Sequence, residues 1–232
     1  MRVQPYGVGS FMHVMKRGTR GLPITRDAFD RNRFVRLLYF ANEEYRDEYW
    51  ERNTIELPMF ERPQDWPERK MLVHILAWVL APNHFHLLLE EIQVGGISKF
   101  MQQLCGSMSA HFNAKYEEKG SLFQGAYKGL VVDTDEYLKQ LIPYIMVKNV
   151  FELYPAGYTK AVKEFDKAWQ WGVESYPFSS LPEYAANRNW PILEKGFTND
   201  LFPTVREFRS HAQEVMENRS RFDTEFSALT LD

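Results

Sequence analysis

Ser10–Gly18 (SFMHVMKRG) is a short strand-like run in which bulky apolar residues are interspersed with polar ones, closed by the glycine-containing turn GTRG. From Asp27, placed to cap a helix, Phe29, Phe34, Leu37, Leu38 and Phe40 recur at mostly helical spacing. MLVHILAWVLA (71–81) then reads as a buried strand, PN as a tight connection and HFHLLLEE (84–91) as its hairpin partner. Ile97, Phe100, Met101, Leu104, Met108 and Phe112 predict a second helix before Gly120. SLFQGAYKGLVVD (121–133) reads as a fourth strand. A third long helix is predicted over 133–154, with Asp133 as its N-cap and Glu136 three residues on.

The resulting order, β-α-β-β-α-β-α, predicts an α+β fold whose first six elements form a ferredoxin-like split βαβ sheet with two helices on one face. RNA-recognition modules share this order, but the aromatic strand signature on which they stack bases is absent here. Residues 1–154 are expected to be a catalytic domain and 155–232 a mostly helical extension packed on it, reached through the Pro- and aromatic-rich connector WGVESYPFSSLPEYAANRNWPIL.

At 232 residues and 44% hydrophobic, the chain can bury a substantial core. Cys105 is the lone cysteine, which excludes an intrachain disulfide and a four-cysteine zinc site and makes a cytoplasmic setting the expectation. The apolar runs fall short of the roughly 20 residues a membrane span needs, so no membrane partner is expected. The net charge of -3 hides an asymmetry: residues 1–40 carry eight Arg or Lys against Asp27 and Asp30, whereas 41–70, which reads as a surface insertion, holds nine acids against five bases.

Two positions change this picture. His84 and His86 stand two apart on a predicted strand, so their imidazoles share a face and suit a divalent ion of intermediate softness, for which a third ligand must come from elsewhere. On the third helix, Leu138, Leu141, Ile142 and Ile145 form the core stripe, and Tyr137, Gln140, Tyr144 and Lys148 form a second one. Those tyrosines read equally as amphipathic boundary residues or as the source of a nucleophile. Pro143, without an N–H, should kink the helix just before Tyr144.

HVMKRG in the first strand, VLAPNHFHLLLE around the histidines, FNAKYEEKGSLFQGAYKGLVVDTDEYL, YIMVKNV on the third helix and YPFSS after it resemble the single-tyrosine HUH transposases, most closely the REP-associated tyrosine transposases, from about Phe11 to Phe178. The resemblance implies an HUH endonuclease fold in which His84 and His86 bind a divalent metal, Mg or Mn. It makes Tyr144 the nucleophile toward single-stranded DNA and leaves Tyr137 out of that role. It also implies a transposase that cleaves and rejoins single-stranded DNA near hairpins through a 5'-phosphotyrosine. A nicking enzyme of the replication-initiator kind and a domesticated, non-cleaving hairpin-binding protein are the alternatives.

One departure from the family's pattern concerns the third metal ligand, an Asn or Gln four residues after the tyrosine. Here that position is Lys148, whose ammonium has no lone pair, and the amide is Asn149. Asn149 reaches a metal only if the helix is locally rewound; Gln140 or water can substitute, and Lys148 can instead hold the scissile phosphate. DNA contacts are expected from Lys16, Arg17, Arg20 and Lys128, and a homodimer is left open.

Overall fold

The computed structural model describes residues 5–186 and 188–217; Arg2 of the basic segment and the extension beyond 217 lie outside them. Strands β1 (Phe11–Arg17), β2 (Val73–Leu80), β3 (His84–Glu91) and β4 (Lys128–Val132) form one sheet in the order β2-β3-β1-β4, antiparallel throughout. This is the split βαβ arrangement expected from the element order. The fourth strand is shorter than its apolar pattern suggested, because 121–127 leave the ladder after a single bridge between Gly18 and Phe123.

Helices α1 (Ala28–Phe40) and α3 (Gly96–Tyr116) cover one face of the sheet, and a five-residue helix α2 (Trp50–Thr54) lies in the insertion between them. Phe34, Leu38, Phe100, Leu104 and Met108 pack there against Met12, Val14, Phe85, Leu87 and Leu89. Asp27 caps α1 by accepting the Asp30 N–H at 2.9 Å. Phe29, counted toward the apolar stripe, is 55% exposed and stacks near His111 instead. The start of α3 is capped from a distance: the buried Glu91 carboxylate accepts the Gly95 and Ile97 N–H groups, each at 3.1 Å. Gly96 is required by space, since a Cβ there would lie 2.2 Å from the Leu72 carbonyl oxygen. Arg33 of α1 pairs with Glu51 of the insertion, and Arg62 pairs with Glu43 within it.

The opposite face of the sheet is covered by the third helical segment and by the extension. That segment divides into α4 (Asp135–Pro143), a π-helical turn (Tyr144–Lys148) and α5 (Asn149–Phe151). Its N-cap is Thr134, whose hydroxyl accepts the Tyr137 N–H, and not Asp133. Helices α6 (Tyr158–Lys163), α7 (Phe165–Glu174), α8 (Leu181–Ala185), α9 (Gly196–Leu201) and α10 (Val205–Glu217) follow. Leu76, Val79, Leu88, Leu141 and Ile145 share one core with Trp169, Leu181, Phe208 and Met216, so the described part of the extension completes the second face.

YPFSS acquires a structural role at the β2 edge. The Leu80 N–H donates to the Phe178 carbonyl at 3.0 Å and the Ser180 N–H to the Trp78 carbonyl at 2.9 Å, which covers backbone groups an edge strand would otherwise expose. Below it, the Trp78 indole N–H donates to the fully buried Glu183 at 2.9 Å, and the Leu193 N–H reaches its second oxygen at 3.2 Å. Among the described residues, no helix is long and apolar enough to cross a membrane.

Candidate active site on the histidine face

Register decides which side chains meet. Arg17 lies opposite His84, Met15 opposite His86 and His13 opposite Leu88, and directly paired residues project from the same face. On β4, Lys128 is opposite Met15 and joins that face. Both histidines therefore look toward the third helical segment, as their spacing predicted. His86 is 2% exposed, while His84 sits nearer the rim.

The two imidazoles are held in parallel ways. Nδ1 of His84 lies 2.7 Å from the Asn83 side-chain oxygen, and Nδ1 of His86 lies 2.9 Å from Nε2 of His13. Burial lowers the pKa of His84 to about 4, with Glu152 pulling it up and Arg17 and Lys148 pushing it down. Burial likewise lowers His13 to about 3 and His86 well below its ordinary value, the latter helped by its histidine neighbours and Lys148. All three are neutral at neutral pH, the state in which an imidazole can donate a lone pair.

Tyr144 is carried to this face by α4, whose α-helical pitch runs to it: its N–H donates to the Gln140 carbonyl four residues back. Pro143 cannot donate to the Lys139 carbonyl one turn back; His211 of α10 supplies that donor instead, 3.1 Å away. Immediately after it the chain takes a π turn, in which the Asn149 N–H donates to the Tyr144 carbonyl five residues earlier. The Tyr144 ring, 5% exposed, stands edge-on to His86 at 6.2 Å and to His13 at 6.4 Å between centroids. Tyr137, two α-helical turns before it, is half-buried in the first turn of α4.

Lys148 and Asn149 stand four and five residues on from Tyr144 in this turn, which is one residue longer than α-helical. Lys148 Nζ sits 4.7 Å from the Tyr144 ring centroid and 2.7 Å from a Glu152 carboxylate oxygen. Asn149 is 4% exposed, and its Nδ2 has no hydrogen-bond partner among the described residues. Gln140 lies one turn before Tyr144, its carbonyl accepting the Tyr144 N–H. The two neutral imidazoles each have a lone pair to give a divalent ion, and Asn149, with a buried amide, follows in the adjoining turn.

The cationic residues divide between the faces. Arg17 and Arg20 are exposed and Lys128 is half-buried, on the rim of the histidine side or in the turn after β1. Lys16 is placed elsewhere: it points to the other face, is 6% exposed and donates from Nζ to the Gly125 carbonyl, with the Phe123 ring 5.6 Å away. Strand alternation, which brought His84 and His86 together, separates Lys16 from Arg17. His13 and Asn83 are the site residues that motif spacing missed. The period of two along β1, which aligns His13 with Met15 and Arg17, was the signal for the first of them.

Residues 42–148 match the family described as "Transposase IS200 like", a span that contains both histidines, Tyr144 and Lys148 and ends one residue before Asn149. Among solved structures, the chain is similar to a REP-associated tyrosine transposase bound to a REP hairpin, at 15% identity over 84% of this chain and 92% of that one, with a TM-score of 0.43. No curated protein matches the chain.

Proposed function

Because residues 42–148 match the IS200-like transposase family, we propose that this protein is a metal-dependent transposase that cleaves and rejoins single-stranded DNA near hairpins, with Tyr144 as its nucleophile. The observation that carries this reading is the placement of the buried Tyr144 ring at the C-terminal end of α4, edge-on to the buried His86 and His13 on the histidine face.

A free phenol, with a pKa near 10, is a weak nucleophile and needs help to attack a phosphodiester. His84, His86 and an amide, Asn149 ahead of Gln140, would hold a Mg or Mn ion, which when bound would supply Lewis-acid polarisation of the scissile phosphate. Lys148, over the Tyr144 ring, can exchange its Glu152 partner for a phosphate oxygen. Attack of the Tyr144 oxygen on phosphorus forms a 5'-phosphotyrosine and breaks the bond to the 3' oxygen, which leaves protonated as a 3'-OH. The same bond energy is then available for a second 3'-OH to reverse the step, so rejoining needs no ATP. Arg17, Arg20 and Lys128 are suited to the phosphates of the incoming strand.

The burial of Tyr144 beneath Lys148 favours one rival, a hairpin-binding protein without turnover. Incubation with labelled single-stranded hairpin oligonucleotides and Mn, resolved on a denaturing gel, separates the two. Turnover gives a covalent adduct that peptide mapping locates on Tyr144 and that Tyr144→Phe abolishes while hairpin binding persists. Binding with no adduct selects the rival, and an adduct on Tyr137 removes the assignment of the nucleophile.

A further inference from the structure

Asn83 and His13 form two hydrogen-bonded supports behind the histidine pair, and neither belongs to the set of residues that touches a reacting atom. Asn83 Nδ2 donates to the Gly21 carbonyl at 3.1 Å, which fixes the amide so that its oxygen faces His84 Nδ1 at 2.7 Å. An amide oxygen only accepts, so the His84 proton must reside on Nδ1, and the lone pair is left on Nε2. Gly21 can present its carbonyl this way because it lies at φ +72°, a conformation that favours glycine. The Gly18 N–H, donating to the Asn83 carbonyl at 2.8 Å, ties the same turn to the same residue.

His86 is supported by a second imidazole instead. Its Nδ1 meets Nε2 of His13 at 2.9 Å in an interior where His13 is 1% and His86 2% exposed. The rings are stacked at 25° with centroids 5.2 Å apart, and His13 also stands edge-on to Tyr144. One proton serves that contact. If it sat on His13 Nε2, His86 would accept with its Nδ1 lone pair and carry its own proton on Nε2, with no lone pair left for an ion. If it sits on His86 Nδ1, both histidines of the pair present Nε2.

We propose that His13 is a positioning residue, a neutral hydrogen-bond acceptor that holds His86 in its Nδ1–H tautomer, as Asn83 holds His84, so that both lone pairs are presented as Nε2. This rests on the metal-dependent reading above and deepens it. Such supports behind ligating histidines commonly change metal affinity by 10–100-fold when removed.

The test combines nitrogen-15 NMR of the metal-free protein with Mn2+ titration by electron paramagnetic resonance. In the wild type, His86 should show a protonated Nδ1 and His13 an unprotonated Nε2; the reverse pattern overturns the proposal without recourse to any variant. His13→Phe keeps a ring and removes the acceptor. It should lower Mn2+ affinity roughly 10–100-fold and release the His86 tautomer, whereas His13→Gln, whose side-chain oxygen can accept, should restore the tautomer and hold affinity within a few-fold. Thermal melts confirm that each variant is folded. Unchanged Mn2+ affinity and tautomer in His13→Phe overturn the proposal. A wild type with the expected tautomer but no Mn2+ affinity upholds the hydrogen-bond assignment and removes the metal reading instead.

Discussion

The Asn149 N–H donates to the Tyr144 carbonyl, five residues back, where an α-helix would pair Tyr144 with Lys148. The extra residue in that turn is the rewinding that the proposed role of Asn149 as the site's amide requires. Asn149→Ala should therefore weaken Mn2+ binding at least tenfold, and Gln140→Ala should leave it within a few-fold. Deleting Lys148 should restore α-helical pitch with Asn149 four residues after Tyr144, and so retain Mn2+ binding. Isothermal titration of the three variants checks this; loss of binding only in Gln140→Ala would reassign the ligand.

Removing either histidine of the pair should abolish metal-dependent cleavage, but with different costs to the fold. His84 lies near the rim, and His84→Ala should melt close to the wild type. His86 is 2% exposed and bonded to His13, so His86→Ala leaves a cavity and an unpaired buried group and should cost about 1–3 kcal/mol. Denaturant titration beside the cleavage assay checks both, and metal-dependent cleavage surviving in either variant would refute the site.

Strand alternation separates two neighbouring cations. Arg17→Ala should reduce hairpin affinity and lower the slope of log K against log salt by about one, and Lys128→Ala should act in the same direction. Lys16→Met removes a buried ammonium from the opposite face and should change the melting temperature while leaving the salt slope alone. A slope that responds to Lys16→Met and not to Arg17→Ala would place the DNA on the other side of the sheet.

Acid acts on this fold through groups of opposite sign. His84 titrates at about 4 and His13 at about 3 in the folded state against an ordinary value of 6.5, so the unfolded chain binds these protons first. Their contribution is present above pH 6.5 and declines as pH falls toward those values. Glu183, raised to about 7 by burial against an ordinary 4.5, works the other way: its contribution is full below pH 4.5 and is lost as pH rises through 7. Relative to Glu183→Gln, the wild type should thus lose stability between pH 5 and 8. Melting curves across that range check it, and a constant difference would show that Glu183 is ionised throughout.

The sequence by itself determined what depends on local periodicity. A period of two placed His84 and His86 on one face, and the order of strands and helices fixed the split βαβ sheet, because few topologies satisfy right-handed, short connections. The apolar stripe of Leu138, Leu141 and Ile142 likewise located the helix that carries Tyr144. Only the tertiary structure decided what depends on departures from regular pitch and on pairing between distant strands. The π turn breaks the 3.6-residue period on which any face assignment for Lys148 and Asn149 rests, and the donor that replaces the missing Pro143 N–H comes from His211, far along the chain. His13 reaches His86 across a β1–β3 register that neither strand encodes alone, and Lys16 turns away from Arg17 because a pleated strand sends neighbours to opposite faces.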